Sequence, residues 1–382
     1  MPLDEALLKA TVAALTAKGK GILASDESTS TIGKRLEKAG FENTEEVRRQ
    51  YRELFYTADI SSCYGGAIVF KEALYQADSN GVPFTKALAD RGVLLGVKVD
   101  EGLVPLSPSP NEPGDGSARP PPGLCETTTK GLERLRDFCD EIVTCGARFT
   151  KWRAALKIDA EKGWPSETAI ALNCQQLSEY ALTCQTKGLV PLVEPEILID
   201  GTHSLAEFCS ATERVLAACV QALMDIHVFL PGCLLKIQMC IPGADCEGPK
   251  PSPSEIATAT LDVLVKCIPA EVGGVMFLSG GMSEEEATLN LQAINTEKER
   301  RGKSVCPWPL SFSFGRALQA SVLEIFKSDQ SSEGKEKAKQ MAAALGRANG
   351  LAAAGTFTGP HPSLSQGSAT ASLRETFRGW RT

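Results

Sequence analysis

A single (β/α)8 barrel, the TIM-barrel form of α/β fold, is what this 382-residue sequence predicts, and three observations predict it. Eight short apolar runs rich in β-formers recur along the chain. Every gap between them has room for a helix. Seven of the eight runs carry charged or glycine-rich residues at or just past their C-terminal ends, where a barrel of this kind places its chemistry. The competing arrangement is an open doubly wound sheet.

The runs occupy residues 21–25, 67–70, 93–97, 147–150, 189–193, 233–237, 274–278 and 309–313, with centres 45, 28, 54, 41, 44, 41 and 35 residues apart. Continuous apolar strands joined by helical crossovers make a parallel sheet covered on both faces, and eight such units close a barrel. The intervening segments read as amphipathic helices, for example residues 178–185, stopped by Gly188, and 284–294. The largest gap contains residues 107–124, with six prolines and three glycines among eighteen residues, which predicts a mobile loop. A last helix spans 335–354. The predicted organisation is therefore one catalytic domain over 1–354, including an N-terminal helix and the Pro-rich loop, followed by a flexible tail over 355–382.

Composition narrows the function. Apolar residues make up 43% and charged residues 23%, the balance of an ordinary globular protein. Forty Lys and Arg against 47 Asp and Glu leave a net charge of −7, which argues against nucleic acid as a partner. No apolar run approaches the ~18 residues of a membrane helix, so no membrane partner is expected. The acidic start, Met1-Pro-Leu-Asp-Glu5, points to the cytoplasm, or to a plastid if a transit segment has been removed. The thirteen cysteines are odd in number and lack any C-x-x-C pair, so they read as buried free thiols. Only His203, His227 and His361 exist; a three-His zinc site would need all of them, and the expectation is no metal and no cofactor.

The informative residues are charges on strands that ought to be apolar. Asp26 and Glu27 follow the first run, Lys98 and Asp100 the third, Lys151 and Arg153 the fourth, Glu194 and Glu196 the fifth; Lys236 lies within the sixth. Residues two apart on a strand share a face, so these pairs can converge on one pocket. Any one of them could instead be a salt bridge between strands. Lys236, flanked by Cys233-Leu-Leu and Ile237, is the most unusual. Burial beside other cations lowers a lysine's pKa and frees a neutral amine to attack a carbonyl, whereas the alternative is a lysine that snorkels to the rim or pairs with a glutamate. Glu194 and Glu196 supply carboxylates for the accompanying proton transfers.

Two groups suit anions. Ser279-Gly280-Gly281 ahead of an acidic helix, with Gly315-Arg316, offers backbone N–H groups and a guanidinium. Ser28, Thr31, Lys34 and Arg35, with Lys98 nearby, offer hydroxyls and cations to a second. Placed on opposite sides of one pocket, they imply a bisphosphate. A P-loop is absent, because Glu297 stands where the first glycine before Gly302-Lys-Ser304 should be.

Taken together, Gly19-Lys-Gly-Ile-Leu-Ala-Ser-Asp-Glu-Ser28, Gly96-Val-Lys-Val-Asp100, Phe149-Thr-Lys-Trp-Arg153, Val190-Pro-Leu-Val-Glu-Pro-Glu-Ile197, Leu234-Leu-Lys236, Phe277-Leu-Ser-Gly-Gly-Met-Ser-Glu-Glu-Glu286 and Phe312-Ser-Phe-Gly-Arg-Ala-Leu-Gln-Ala320 closely resemble class I fructose-bisphosphate aldolase. The resemblance runs in order from about residue 15 to 355. It implies a metal-independent enzyme, usually a homotetramer, that reversibly cleaves fructose 1,6-bisphosphate into dihydroxyacetone phosphate and glyceraldehyde 3-phosphate. By that resemblance Lys236 matches the Schiff-base lysine, and Glu194 the acid/base of the carbinolamine, partnered by Glu196, Lys151 and Asp26. Ser279, Gly280, Gly281, Gly315 and Arg316 match the C1-phosphate site. Ser28, Thr31, Lys34, Arg35, Lys98 and Arg153 match the neighbourhood of the C6-phosphate and sugar hydroxyls. The family's terminal tyrosine is absent, since the tyrosines lie at 51, 56, 64, 75 and 180; Ile237 replaces a common proline and Phe314 a tyrosine.

Overall fold

The computed structural model describes residues 3–106 and 125–366, so the Pro-rich segment 107–124 and the end of the tail lie outside the described residues. Helix α1 (Glu5–Leu15) precedes β1 (Gly21–Ser25); α2 (Thr29–Lys38) and α3 (Glu45–Tyr56) lead to β2 (Tyr64–Val69), and α4 (Phe84–Ala89) to β3 (Leu94–Lys98). A two-stranded antiparallel ribbon, β4 (Leu103–Pro105) with β5 (Thr127–Thr129), and α5 (Leu132–Thr144) come next. Strand and helix then alternate through β6 (Ala147–Leu156), α6 (Glu167–Gln185), β7 (Val190–Ile197), α7 (Leu205–Asp225), β8 (Leu234–Gln238), α8 (Pro253–Cys267), β9 (Gly274–Leu278), α9 (Glu284–Arg301) and β10 (Leu310–Phe314). Helices α10 (Ala320–Ser328) and α11 (Ser332–Ala353) follow. Serine caps recur: Ser204, Ser252 and Ser283 each form a reciprocal box with a glutamate three residues on, fixing where α7, α8 and α9 begin.

Eight parallel strands close a barrel in the order β1-β10-β9-β8-β7-β6-β3-β2, which is the predicted (β/α)8 fold. Its outward faces, including Phe277, Phe312 and Val193, pack on the helical ring in one large core. A second core fills the lower interior with Ile22, Ala24, Ile68, Phe149, Val190, Leu192, Leu234 and Met276, and α1 closes this end with Leu8, Val12 and Leu15. Gly96 on β3 leaves the room that Phe149 occupies, since a Cβ there would stand 2.2 Å from the ring.

Two strands outrun their sequence signal. The fourth and fifth apolar runs predict strands ending at Thr150 and Val193, yet β6 reaches Leu156 and β7 reaches Ile197, paired in register from Phe149↔Val190 to Leu156↔Ile197. The charges inside them face the barrel interior and pair with one another, while Trp152, Leu156, Val193 and Ile197 keep the outer face apolar, so nothing stops the ladder. The ribbon β4–β5 was not anticipated. Helix α11 starts at Ser332, capped by Ser331, rather than at Lys335. The flexible tail expected from residue 355 does not hold for residues 355–366, where His361 and Ser363 are buried and a short 3-10 turn spans Pro362–Gln366. All thirteen cysteines are free; eight are buried and five half-buried. Among the described residues no helix is long and apolar enough to cross a membrane.

Candidate active site

Alternation along the strands carries each interior face from apolar to charged in one step. Two residues beyond Ala24, Phe149, Leu192 and Leu234, all in the lower interior core, stand Asp26, Lys151, Glu194 and Lys236. Lys98 joins them from β3, in register with Lys151. Five strands thus raise a charged layer directly on a dry one, at the C-terminal mouth.

Charges buried in this way must be matched, because removing an ion from water costs several kcal/mol. They are. Lys236 Nζ lies 2.9 Å from Glu194 Oε1, and Lys151 Nζ lies 3.3 Å from Glu194 Oε2 and 2.7 Å from Asp26 Oδ2. All four residues are less than a tenth exposed. Lys98 pairs with Asp100 at 2.5 Å, and Arg153 pairs with Glu196. Burial alone would raise the Asp26 carboxyl, but Lys151, Lys236 and Lys98 outweigh it and bring it to about 2. Burial likewise opposes ionisation of Glu196 and Asp100, and is overcome by Arg153, Lys236 and Arg316 for the first and by Lys98 and Lys151 for the second. Lys151 is held charged: burial would lower its pKa, and Asp26, Glu194 and Asp100 raise it above the ordinary value. One carboxylate therefore bridges two amines, of which Lys236 is the one adjacent to a barrel wall of apolar neighbours.

The two predicted anion groups do not face each other as drawn from the sequence. β1 lies beside β10 in the barrel, so the start of α2, from its cap Ser28 to Arg35, is on the side of Gly315, whose Cβ would lie 3.2 Å from the Ala24 carbonyl. Lys98 on β3 and Arg153 on β6 are the residues diametrically across from β9 and β10. Ser28 caps α2, accepting from the Thr31 amide at 3.3 Å and lying 3.0 Å from the Thr31 hydroxyl. Lys34 is exposed on the same helix, while Arg35 is engaged with Glu27 at 2.6 Å.

Behind Ser279, one expectation is revised by a single residue. Gln238, on the same face as Lys236 and two positions on, accepts from the Gly280 amide and donates to the Gly280 carbonyl, both at 3.1 Å. The Gly280 N–H is thus taken by protein, which withdraws one of the backbone donors expected at this loop, while Arg316 is half-buried. Gly281 has φ +73°, and a Cβ there would meet Ile199 at 2.0 Å, which accounts for glycine at this point. Gln238 was missed, although the i+2 rule that found Glu196 from Glu194 would have found it. Gln319 was missed as well: its amide donates to the Ala24 carbonyl at 2.8 Å and to Glu27 at 3.0 Å, tying β1 to the segment after β10.

Residues 7–376 match the sequence model of the family described as fructose-bisphosphate aldolase class-I. Fructose-bisphosphate aldolase C of Rattus norvegicus is 47% identical over 347 residues, 90% of this chain and 89% of the relative. Fructose-bisphosphate aldolase of Dictyostelium discoideum is 44% identical over 369 residues, 96% of each. Among solved structures, the Plasmodium falciparum fructose-bisphosphate aldolase determined with TRAP and a small molecule inhibitor superposes with a TM-score of 0.84 at 39% identity, covering 94% of this chain and 98% of that one. A barrel of this order, an amine and carboxylate cluster at its C-terminal mouth, and similarity over nine-tenths of its length leave one assignment: the chain belongs to the class I fructose-bisphosphate aldolase family.

Proposed function

We propose that Lys236 is the nucleophile through which this chain reversibly cleaves fructose 1,6-bisphosphate. The observation that carries the reading is the 2.9 Å contact between Lys236 Nζ and Glu194 Oε1, in a layer where that carboxylate also meets Lys151. Glu194 takes a proton from the Lys236 ammonium, and the free amine adds to the C2 carbonyl of the ketose, one of its remaining protons passing to the C2 oxygen to make the carbinolamine hydroxyl. Returned from Glu194 to the C2 hydroxyl, the first proton lets it leave as water, and the nitrogen lone pair forms an iminium. As the C4 hydroxyl loses its proton, the C3–C4 bonding pair moves into the C2–C3 bond and on to the iminium nitrogen. Glyceraldehyde 3-phosphate departs and an enamine remains. Protonation at C3 and hydrolysis then release dihydroxyacetone phosphate and the amine.

Asp26 is assigned to the C4 hydroxyl. Its carboxyl, already at about 2, is a weak base before substrate binds, so it accepts the hydrogen bond first and the proton only as the C–C bond breaks. Lys151 holds Asp26 and Glu194 apart in function by countering both charges. Ser279, Gly281, Gly315 and Arg316 are assigned to the C1-phosphate, Lys98 and Arg153 to the far phosphate and hydroxyls, and Ser28, Thr31, Lys34 and Arg35 to the rim between them that borders Gly315. The span from β9–β10 to β3–β6 supports a substrate carrying an anion at each end.

Borohydride reduction in the presence of dihydroxyacetone phosphate should add that ketose irreversibly to the peptide carrying Lys236, located by mass analysis. Label on any other lysine sinks the assignment. The family further supports a homotetramer acting in the cytoplasm, where glycolysis runs. Sedimentation at four times 40.7 kDa checks the first.

A further inference from the structure

Glu284 is a buried carboxylate that the reaction does not use. It opens α9, three residues past Gly281, and is fully buried. It does not cap its own helix, because Ser283 and Glu286 already form that box. Instead it reaches sideways to the segment after β10. The Ser321 amide donates to it at 3.1 Å and the Ser321 hydroxyl makes a short hydrogen bond, with the Ala320 amide and the Ser363 hydroxyl directed at the same group. Ser321 lies in the first turn of α10, directly after the turn that carries Arg316.

The next turn of α9 is braced in the same way. Thr288 Oγ1 lies 2.9 Å from Asn349 Oδ1 on α11 and 3.1 Å from His361 Nε2. The Ser363 amide donates to His361 Nδ1 at 3.3 Å, so hydrogen-bond geometry assigns the ring hydrogen to Nε2. Two loops that share no ladder hydrogen bond at their tips are therefore joined behind the site through one carboxylate. Leaving such a group in a dry interior is costly, and its donors come almost wholly from the neighbouring segment.

We propose that Glu284 is a positioning residue of the anion site: it clamps the segment after β10 onto the start of α9, fixing the Arg316 guanidinium relative to Ser279 and Gly281, and so sets phosphate affinity without touching phosphate. The inference rests on the reading of these two loops as the C1-phosphate subsite. Its test compares trapping of the Lys236 imine with two probes, dihydroxyacetone phosphate and phosphate-free dihydroxyacetone. Arg316→Ala should raise the half-saturating concentration of the first probe far more than that of the second. Glu284→Ala should reduce the preference for the phosphorylated probe about tenfold, the scale of one or two misaligned hydrogen bonds, and the double variant should be no worse than Arg316→Ala. Glu284→Gln, which keeps one acceptor oxygen, should recover part of the preference.

If Arg316→Ala shifts the preference and Glu284→Ala does not, the clamp is rejected while the subsite stands. If Arg316→Ala leaves the preference unchanged, the subsite itself is wrong. Equal loss of both probes in Glu284→Ala would mark a general disruption and overturn the positioning role. Ser321→Ala removes one donor and no charge, so it carries the test where Glu284→Ala does not fold. A shift of about threefold supports the clamp, and an unchanged preference in folded Ser321→Ala sinks it.

Discussion

Glu194 lies between two amines, and their fates differ because their other neighbours differ. Lys151 also holds Asp26, so it remains a cation; Lys236 has Glu194 as its close acid and can pass its proton there. Lys236→Met should abolish both borohydride labelling and turnover, by more than about 10³-fold in kcat, while a melting scan shows the barrel still folded. Asp26 makes a prediction about acid. Its carboxyl falls from an ordinary 3.8 to about 2 in the folded chain, so its stabilisation is complete above 3.8 and disappears as pH drops through about 2. The difference in unfolding free energy between wild type and Asp26→Asn should shrink by about 2 kcal/mol across that window, and a difference independent of pH would contradict it. At this scale the sequence was informative because a charge on an interior strand face has few structural excuses. It was silent on who pairs with whom: Arg153 meets Glu196, and Lys98 turns to Asp100, by side-chain reach that spacing does not encode.

The elements were legible where periodicity is simple. β1 and β9 are continuous apolar runs, and the amphipathic segments 178–185 and 284–294 fall within α6 and α9. The extensions of β6 and β7 were hidden by the very charges that matter, since a polar residue at every second position looks like the end of a buried strand. Helix α1 makes a separate prediction. Leu8→Ala opens the base of the barrel, where that side chain is wholly buried, and should cost about 2–5 kcal/mol in denaturant unfolding with KM unchanged, because the charged layer stands above it. The segment 355–366 escaped detection because its composition of Gly, Ser, Thr and Pro gives no period, and its anchors are the isolated side chains of Phe357, His361 and Ser363. Burial pushes His361 from 6.5 down to about 4, so its neutral form adds stability above 6.5 that is lost as pH falls through 4. Replacing it by glutamine should flatten the loss of stability between those limits; an unaltered slope would show the ring open to water.

For the molecule as a whole, the eightfold alternation predicted the barrel and, with it, the closure of the first strand against the last; what it did not convey is which rim residues that closure makes neighbours. That neighbourhood relocated one predicted anion group, bringing Ser28 and Arg35 beside Gly315 and leaving Lys98 and Arg153 as the far shore. Catalysis by an amine also makes a whole-enzyme statement: turnover should survive exhaustive chelation, measured as aldehyde release after dialysis against a chelator, and loss of rate restored by a divalent ion would refute the mechanism. The seam itself constrains biosynthesis. The Ser311 hydroxyl reaches back 291 positions to the carbonyl of Lys20, so the leading edge of β1 emerges from the ribosome long before its partner exists. A nascent chain must carry that bare edge, and a half-built interior, until translation is nearly complete, which makes the interval before closure the moment when this protein most needs a chaperone.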